Sequence, residues 1–125
     1  MDGLLLFAHG ARDAAWARPF EAVAERLRAA RPATPLALAY LEFMSPDMET
    51  AAAELVAAGC TRVHVLPLFL GTGGHVRRDV PPLLARLAER HGNAIEWRLQ
   101  APLGEQDAML DAITQTCLAA LATLE

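Results

Sequence analysis

Two of the four histidines in this 125-residue chain follow apolar runs: His9 comes directly after Leu4-Leu5-Leu6-Phe7-Ala8, and His75 comes after Val63–Leu70 by way of Gly71-Thr72-Gly73-Gly74. Glu42 stands at the end of a third run, Leu36–Leu41. Two imidazoles and a carboxylate suit a first-row divalent metal, because imidazole binds cobalt, nickel, zinc and iron(II) and the carboxylate offsets positive charge. An imidazole near its ordinary pKa also accepts a proton at neutral pH, so the same pair can serve as metal ligand and as general base. Arg12, Arg77 and Arg78 flank the histidines, and guanidinium is the side chain best shaped for bidentate carboxylate binding. With Gly73 and Gly74 loosening the backbone beside them, these arginines form a candidate ligand-binding set, and the ligand they imply is anionic and metal-binding.

Elements that bring these residues together are legible in the apolar pattern. Gly3–Ala8, Leu36–Leu41 and Arg62–Pro67 are short, nearly continuous apolar runs, as in strands covered on both faces. Ile95, Trp97 and Leu99 alternate with polar neighbours and predict a fourth, less buried strand. Between the first two runs, Trp16, Phe20, Val23 and Leu27 recur at helical spacing, with Pro19 in the first turn, up to about Arg31. Ser45 and Pro46 read as N-cap and first residue of a second helix ending near Gly59, with Asp47 and Glu49 favourable near its positive end. Asp79 reads as the N-cap of a third helix, whose stripe is Val80, Leu83, Leu84 and Leu87 and which Gly92 stops. Met109, Leu110, Ile113, Cys117 and Leu121 form the apolar face of a last one. Four alternations of strand and helix predict an α/β chain: one three-layer domain over residues 1–125, with a flavodoxin-like four-stranded parallel sheet and helices on both faces. In such sheets ligands bind beyond the carboxyl ends of the strands, where strand order reverses, so His9, Glu42 and His75 can share one cleft.

Composition excludes other classes. Hydrophobic residues make up 54% and charged residues 21%, as in a soluble globular protein, and no apolar stretch approaches the roughly 20 residues that span a bilayer. The run Leu4–Ala8 is too short for a signal peptide and has Asp2 before it, which predicts a cytoplasmic protein. Cys60 and Cys117 lie far apart in apolar contexts and read as buried thiols. A formal charge of -4 argues against a nucleic-acid surface while leaving room for a local basic patch. His64 inside a strand and His91 near a helix C-terminus read as structural. A histidine phosphatase needs Arg where Ala8 precedes His9, and a phosphate-binding loop needs a lysine and a glycine spacing that Gly71-Thr72-Gly73-Gly74 lacks.

Taken in order, His9-Gly10-Ala11-Arg12, Leu41-Glu42-Phe43 with Pro46, and Pro67-Leu68-Phe69-Leu70 leading through Gly74-His75 to Asp79 and Pro81 resemble the small class II chelatases of tetrapyrrole biosynthesis. These are the short sirohydrochlorin cobaltochelatases and their ferrochelatase and nickel-chelatase relatives. The resemblance runs from about Leu4 into the last helix. It implies insertion of a divalent metal, cobalt first and iron(II) or nickel as alternatives, into an anionic tetrapyrrole, without ATP or organic cofactor, as in cobalamin or siroheme-type biosynthesis. It further implies that His9 and His75 bind the metal and assist removal of pyrrole protons, that Glu42 faces the cleft, and that short chains pair as homodimers. Ala11 departs from the serine common in the family, and the chain has neither a His-rich tract nor a C-terminal Cys cluster to indicate the metal. A non-catalytic carrier of metal or tetrapyrrole needs the same ligands and is the alternative reading.

Overall fold

The computed structural model describes residues 1–71 and 74–122, with the backbone alone at 74–77. β1 (Asp2–Ala8), β2 (Leu36–Tyr40), β3 (Arg62–Pro67) and β4 (Glu96–Leu99) form one parallel sheet in the order β2-β1-β3-β4. β1 is bonded on both sides: Leu4 to Ala8 lie against Leu36 to Tyr40, and Asp2 to Phe7 lie against Arg62 to Pro67. A central strand covered on both faces has no place for polar side chains, which accounts for the unbroken Leu4–Ala8 run. The chain steps outward from β1 first to β2 and then back across to β3, so strand order reverses between β1 and β3.

Strand alternation divides the core. Leu5, Phe7, Ala37, Ala39, Val63 and Val65 face α2 (Met48–Ala57) and α3 (Gly74–His91), where they meet Met48, Ala51, Ala52, Leu55, Val80 and Leu87. On the opposite face Ala8 and Tyr40 meet Ala17 and Phe20, at the start of α1 (Arg18–Ala30). Beyond α1, that same face carries charge. His64 Nε2 lies 3.0 Å from Asp2 Oδ2, while Arg62 Nε and Arg98 Nε donate to the two Glu96 oxygens at 2.8 Å each. The hydrogen bond from His64, with Arg62 nearby, holds the Asp2 carboxyl below its usual range, and the donors from Arg98 and Arg62 do the same to Glu96. His64 is thus structural, as its place inside a strand predicted.

Several expectations are corrected. The second helix is capped by Asp47, whose Oδ1 accepts from the Thr50 N–H at 2.8 Å, while Ser45 and Pro46 precede it, joined by a cis peptide. Both Ser45 and Asp47 are good caps, but only Asp47 has extended backbone followed by helical residues. The third helix begins at Gly74, so His75, Arg77 and Arg78 are helical instead of lying in a loop, and Asp79, Pro81 and Pro82 are inside the helix. Prolines there remove backbone donors, and burial of Val80 and Leu87 against the sheet outweighs that loss. α1 packs through Ala24, and Ala17 just before it is buried as well, while Trp16 in the preceding turn is 66% and Val23 42% exposed. α4 (Asp107–Ala122) buries no residue at all, so Cys117 is exposed, whereas Cys60 is buried as expected and burial pushes its thiol up.

Candidate functional site

Hydrogen bonding continues past the strand ends and places the first pair of site residues. The Leu41 N–H donates to the Ala8 carbonyl at 3.0 Å and the Glu42 N–H to the His9 carbonyl at 3.1 Å, which sets Glu42 beside His9. His9 Nδ1 lies 3.6 Å from Glu42 Oε1, with both side chains nearly half exposed. Gly10 makes this approach possible: its φ is +90°, and a Cβ there would strike the Glu42 carbonyl oxygen. Next to Glu42, Phe43 adopts φ 67°, and the Arg12 guanidinium carbon sits 4.8 Å from the centre of its ring. That distance is within the range of a cation–π contact.

Beneath His9 the chain is aromatic. Phe69 stands edge-on to His9 with ring centres 6.4 Å apart and edge-on to Phe7 at 5.7 Å, so the imidazole rests on a packed, buried ring. The Leu68 N–H donates to the Phe7 carbonyl at 2.7 Å, and the Gly104 N–H donates to the Phe69 carbonyl at 3.0 Å. Gly104 itself lies against the Leu70 carbonyl so closely that no Cβ fits, which pins the segment after β3. A hollow of about 530 Å³ opens beside His9, lined by Trp16, Phe20, Tyr40, Met44, Leu68 and Leu70 among others. Burial, reinforced by the Glu21 carboxylate, raises the Tyr40 phenol above its ordinary value, so this wall of the hollow stays uncharged. A larger groove of about 820 Å³ runs between α1 and β2 past Glu21, Arg28 and Glu54; it holds no histidine, and we assign the site to the smaller hollow.

The structure thus brings together His9 and Glu42, and it sets Arg12 at the rim through Phe43. Gly73 lies outside the described residues, as do the side chains of His75 and Arg77. Gly74 is the first residue of α3, and Arg78 is exposed one turn further on. Among the described residues no three His, Cys, Asp or Glu side chains come together as a metal group. Of the apolar residues beyond the strand ends, Met44, Leu68, Phe69 and Leu70 line the hollow, while Phe43 stacks under Arg12. Trp16 and Tyr40 were missed as lining residues. Only Tyr40 carried a signal, its position at the end of β2 two residues before Glu42; Trp16 carried none, since the next residue, Ala17, packs into the core.

Several known proteins are similar to this chain. Residues 3–120 match the family model described as CbiX. A sirohydrochlorin cobaltochelatase of Saccharolobus islandicus is 33% identical over 109 residues, covering 83% of this chain and 84% of its own. A sirohydrochlorin ferrochelatase of Priestia megaterium is 27% identical over 115 residues, which take in 92% of this chain but 43% of that longer protein. Among solved structures, a cobalamin (vitamin B12) biosynthesis CbiX protein from Marinobacter aquaeolei VT8 superposes with a TM-score of 0.84 at 31% identity. That match covers 98% of this chain and 99% of the other.

Proposed function

The chain belongs to the CbiX family of small class II chelatases, and from that premise we propose that it inserts a divalent metal into sirohydrochlorin or a related tetrapyrrole. Cobalt is the first candidate, with iron(II) and nickel as alternatives. The observation that carries this reading is the His9–Glu42 pair, 3.6 Å apart at the end of β1 and above an apolar hollow of about 530 Å³. Insertion exchanges one divalent cation for two pyrrole N–H protons, so the site must hold a cation and accept protons on the same side of a flat, apolar ring. His9 accepts a proton, and the Glu42 carboxylate offsets the charge that results. Trp16, Phe20 and Met44 line the hollow and offer apolar surface to the ring, and Phe69 fixes the imidazole from below.

The rest of the assignment extends this core. His75, in the first turn of α3, is the second metal ligand, and Glu42 is the third. Arg12, Arg77 and Arg78, with the backbone at Gly73 and Gly74, receive the carboxylates of the tetrapyrrole. Residues 1–125 act as a single chelatase domain, in the cytoplasm and as a homodimer; among the described residues no helix is long and apolar enough to cross a membrane.

Anaerobic insertion followed by the change in sirohydrochlorin absorption, run with cobalt, iron(II) and nickel, tests the reading. His9→Ala should lower turnover at limiting metal at least about 100-fold, in line with the 10²–10⁴-fold contribution of a positioned acid or base, while circular dichroism stays unchanged. Near wild-type turnover of His9→Ala would refute the site. A wild-type protein that binds metal and tetrapyrrole without joining them would instead be a carrier.

A further inference from the structure

Phe43 holds a backbone conformation that its side chain should avoid. Its φ of 67° lies in the left-handed region, where glycine sits without strain and a bulky side chain crowds its own peptide, and the ring is left 57% exposed. A large apolar residue so placed gains little from the core. Both of its neighbours in the chain serve the site: Glu42 stands beside His9, and Met44 lines the hollow. The ring itself carries a cation, with the Arg12 guanidinium carbon 4.8 Å from its centre. A guanidinium stacked on an aromatic face keeps the N–H donors at its edge available to a planar acceptor such as a carboxylate. Glu42, one residue from Phe43, offers Arg12 a competing partner, yet its carboxylate pairs with His9. An exposed cation–π contact and an exposed ion pair are of similar strength, so one ring is enough to decide between two positions of the guanidinium.

We propose that Phe43 is the positioning residue for Arg12: its ring holds the guanidinium out toward the carboxylates of the tetrapyrrole and off Glu42, whose charge is left for His9 and the incoming cation. This rests on the chelatase reading above and adds how a nearby arginine is kept from neutralising the carboxylate that the metal needs. Glycine at this position would relax the backbone and lose the ring. Leucine would keep the bulk but has no π face to hold a cation. The strained conformation is thus explained by where it puts an aromatic ring, between Arg12 and the His9–Glu42 pair.

Steady-state insertion of cobalt into sirohydrochlorin by the full chain, with each substrate varied in turn, tests this through a double-mutant cycle. Phe43→Leu should raise KM for sirohydrochlorin about 2- to 5-fold, the factor an exposed cation–π contact is worth, because Arg12 no longer points at the carboxylates. It should also raise KM for cobalt, because the released guanidinium pairs with Glu42. Arg12→Gln should raise KM for sirohydrochlorin at least about 10-fold and leave KM for cobalt unchanged. In the Arg12→Gln background, Phe43→Leu should alter neither KM by more than about 1.5-fold, since the ring then has no cation to place. Phe43→Tyr, which keeps the π face, should match the wild type in both. If Phe43→Leu does not fold, Phe43→Gly, which suits a φ of 67°, carries the same expectation. Binding of sirohydrochlorin without metal, followed by its absorption, should rank the variants in the same order with no turnover involved. Wild-type protein that neither binds sirohydrochlorin nor inserts cobalt into it would overturn the chelatase reading and the placement of Arg12 with it. Wild-type insertion with both KM values unmoved by Phe43→Leu, or moved equally with and without Arg12, would keep the chelatase and overturn the role of Phe43 alone.

Discussion

Gly10 decides more at the site than its size suggests. Its φ of +90° lies where L side chains are strained, and the space a Cβ would need is filled by the Glu42 carbonyl. Gly10→Ala should therefore destabilise the fold by about 1–3 kcal/mol, the cost of a residue forced into a sparsely populated conformation. Turnover should fall further than stability does, because relief of the clash moves Glu42 away from His9. Urea midpoints and insertion rates on the same preparation check both, and unchanged turnover would show that the spacing of the pair is not set by this peptide. His9 and Glu42 were legible, with His75, as members of one cleft, because His9 directly follows β1, Glu42 lies two residues past the end of β2, and parallel strands bring their ends together. Trp16 was not legible as lining, since a tryptophan at helical spacing looks the same in a core and at a rim.

At the scale of elements, helix starts were the hardest to read. β3 spans Arg62–Pro67 as the sequence indicated, because a strand's apolar run and its boundary with glycine are both local. Ser45 and Asp47 both offer a capping oxygen two residues apart, and local chemistry alone does not choose between them. Asp79 with Pro81 has the same form of a helix start, yet lies within α3. The working cap can be tested. Asp47→Ala should cost about 1 kcal/mol near neutral pH, typical of a lost N-cap. The Thr50 side chain, and with it the Thr50 amide, hydrogen-bond the Asp47 carboxylate and hold its folded pKa below the ordinary value. The cap's contribution is therefore complete above the unfolded pKa of about 3.9 and is lost as pH falls through the lower folded value. The stability gap between wild type and variant, measured by urea unfolding at pH 7, 5 and 3, should shrink only in the last step. A gap that stayed constant down to pH 3 would show that the capping bond does not use the charged carboxylate.

In the whole molecule, alternation of strand and helix made the parallel sheet readable from sequence. What covers each helix was not, since periodicity marks an apolar face without naming its partner; α1 and α4 show this most plainly. The core itself is tightly specified at β1, where Phe7 is 0% exposed. Phe7→Ala should cost about 3–5 kcal/mol by differential scanning calorimetry or urea, and a loss under 1 kcal/mol would mean that the core relaxes around the gap. The placement of β1 also has a consequence in time. Its second neighbour is separated from it by a long stretch of chain, Asp2 pairing with Arg62, so during synthesis β1 and β2 can associate while the other edge of β1 has nothing to bond. For that interval the most apolar strand of the protein presents unpaired N–H and C=O groups, a template for pairing with another nascent chain. A stalled or nicked chain ending between β2 and β3 should therefore precipitate where the full-length protein stays in solution, and the first half of the sequence depends on the second to close that edge.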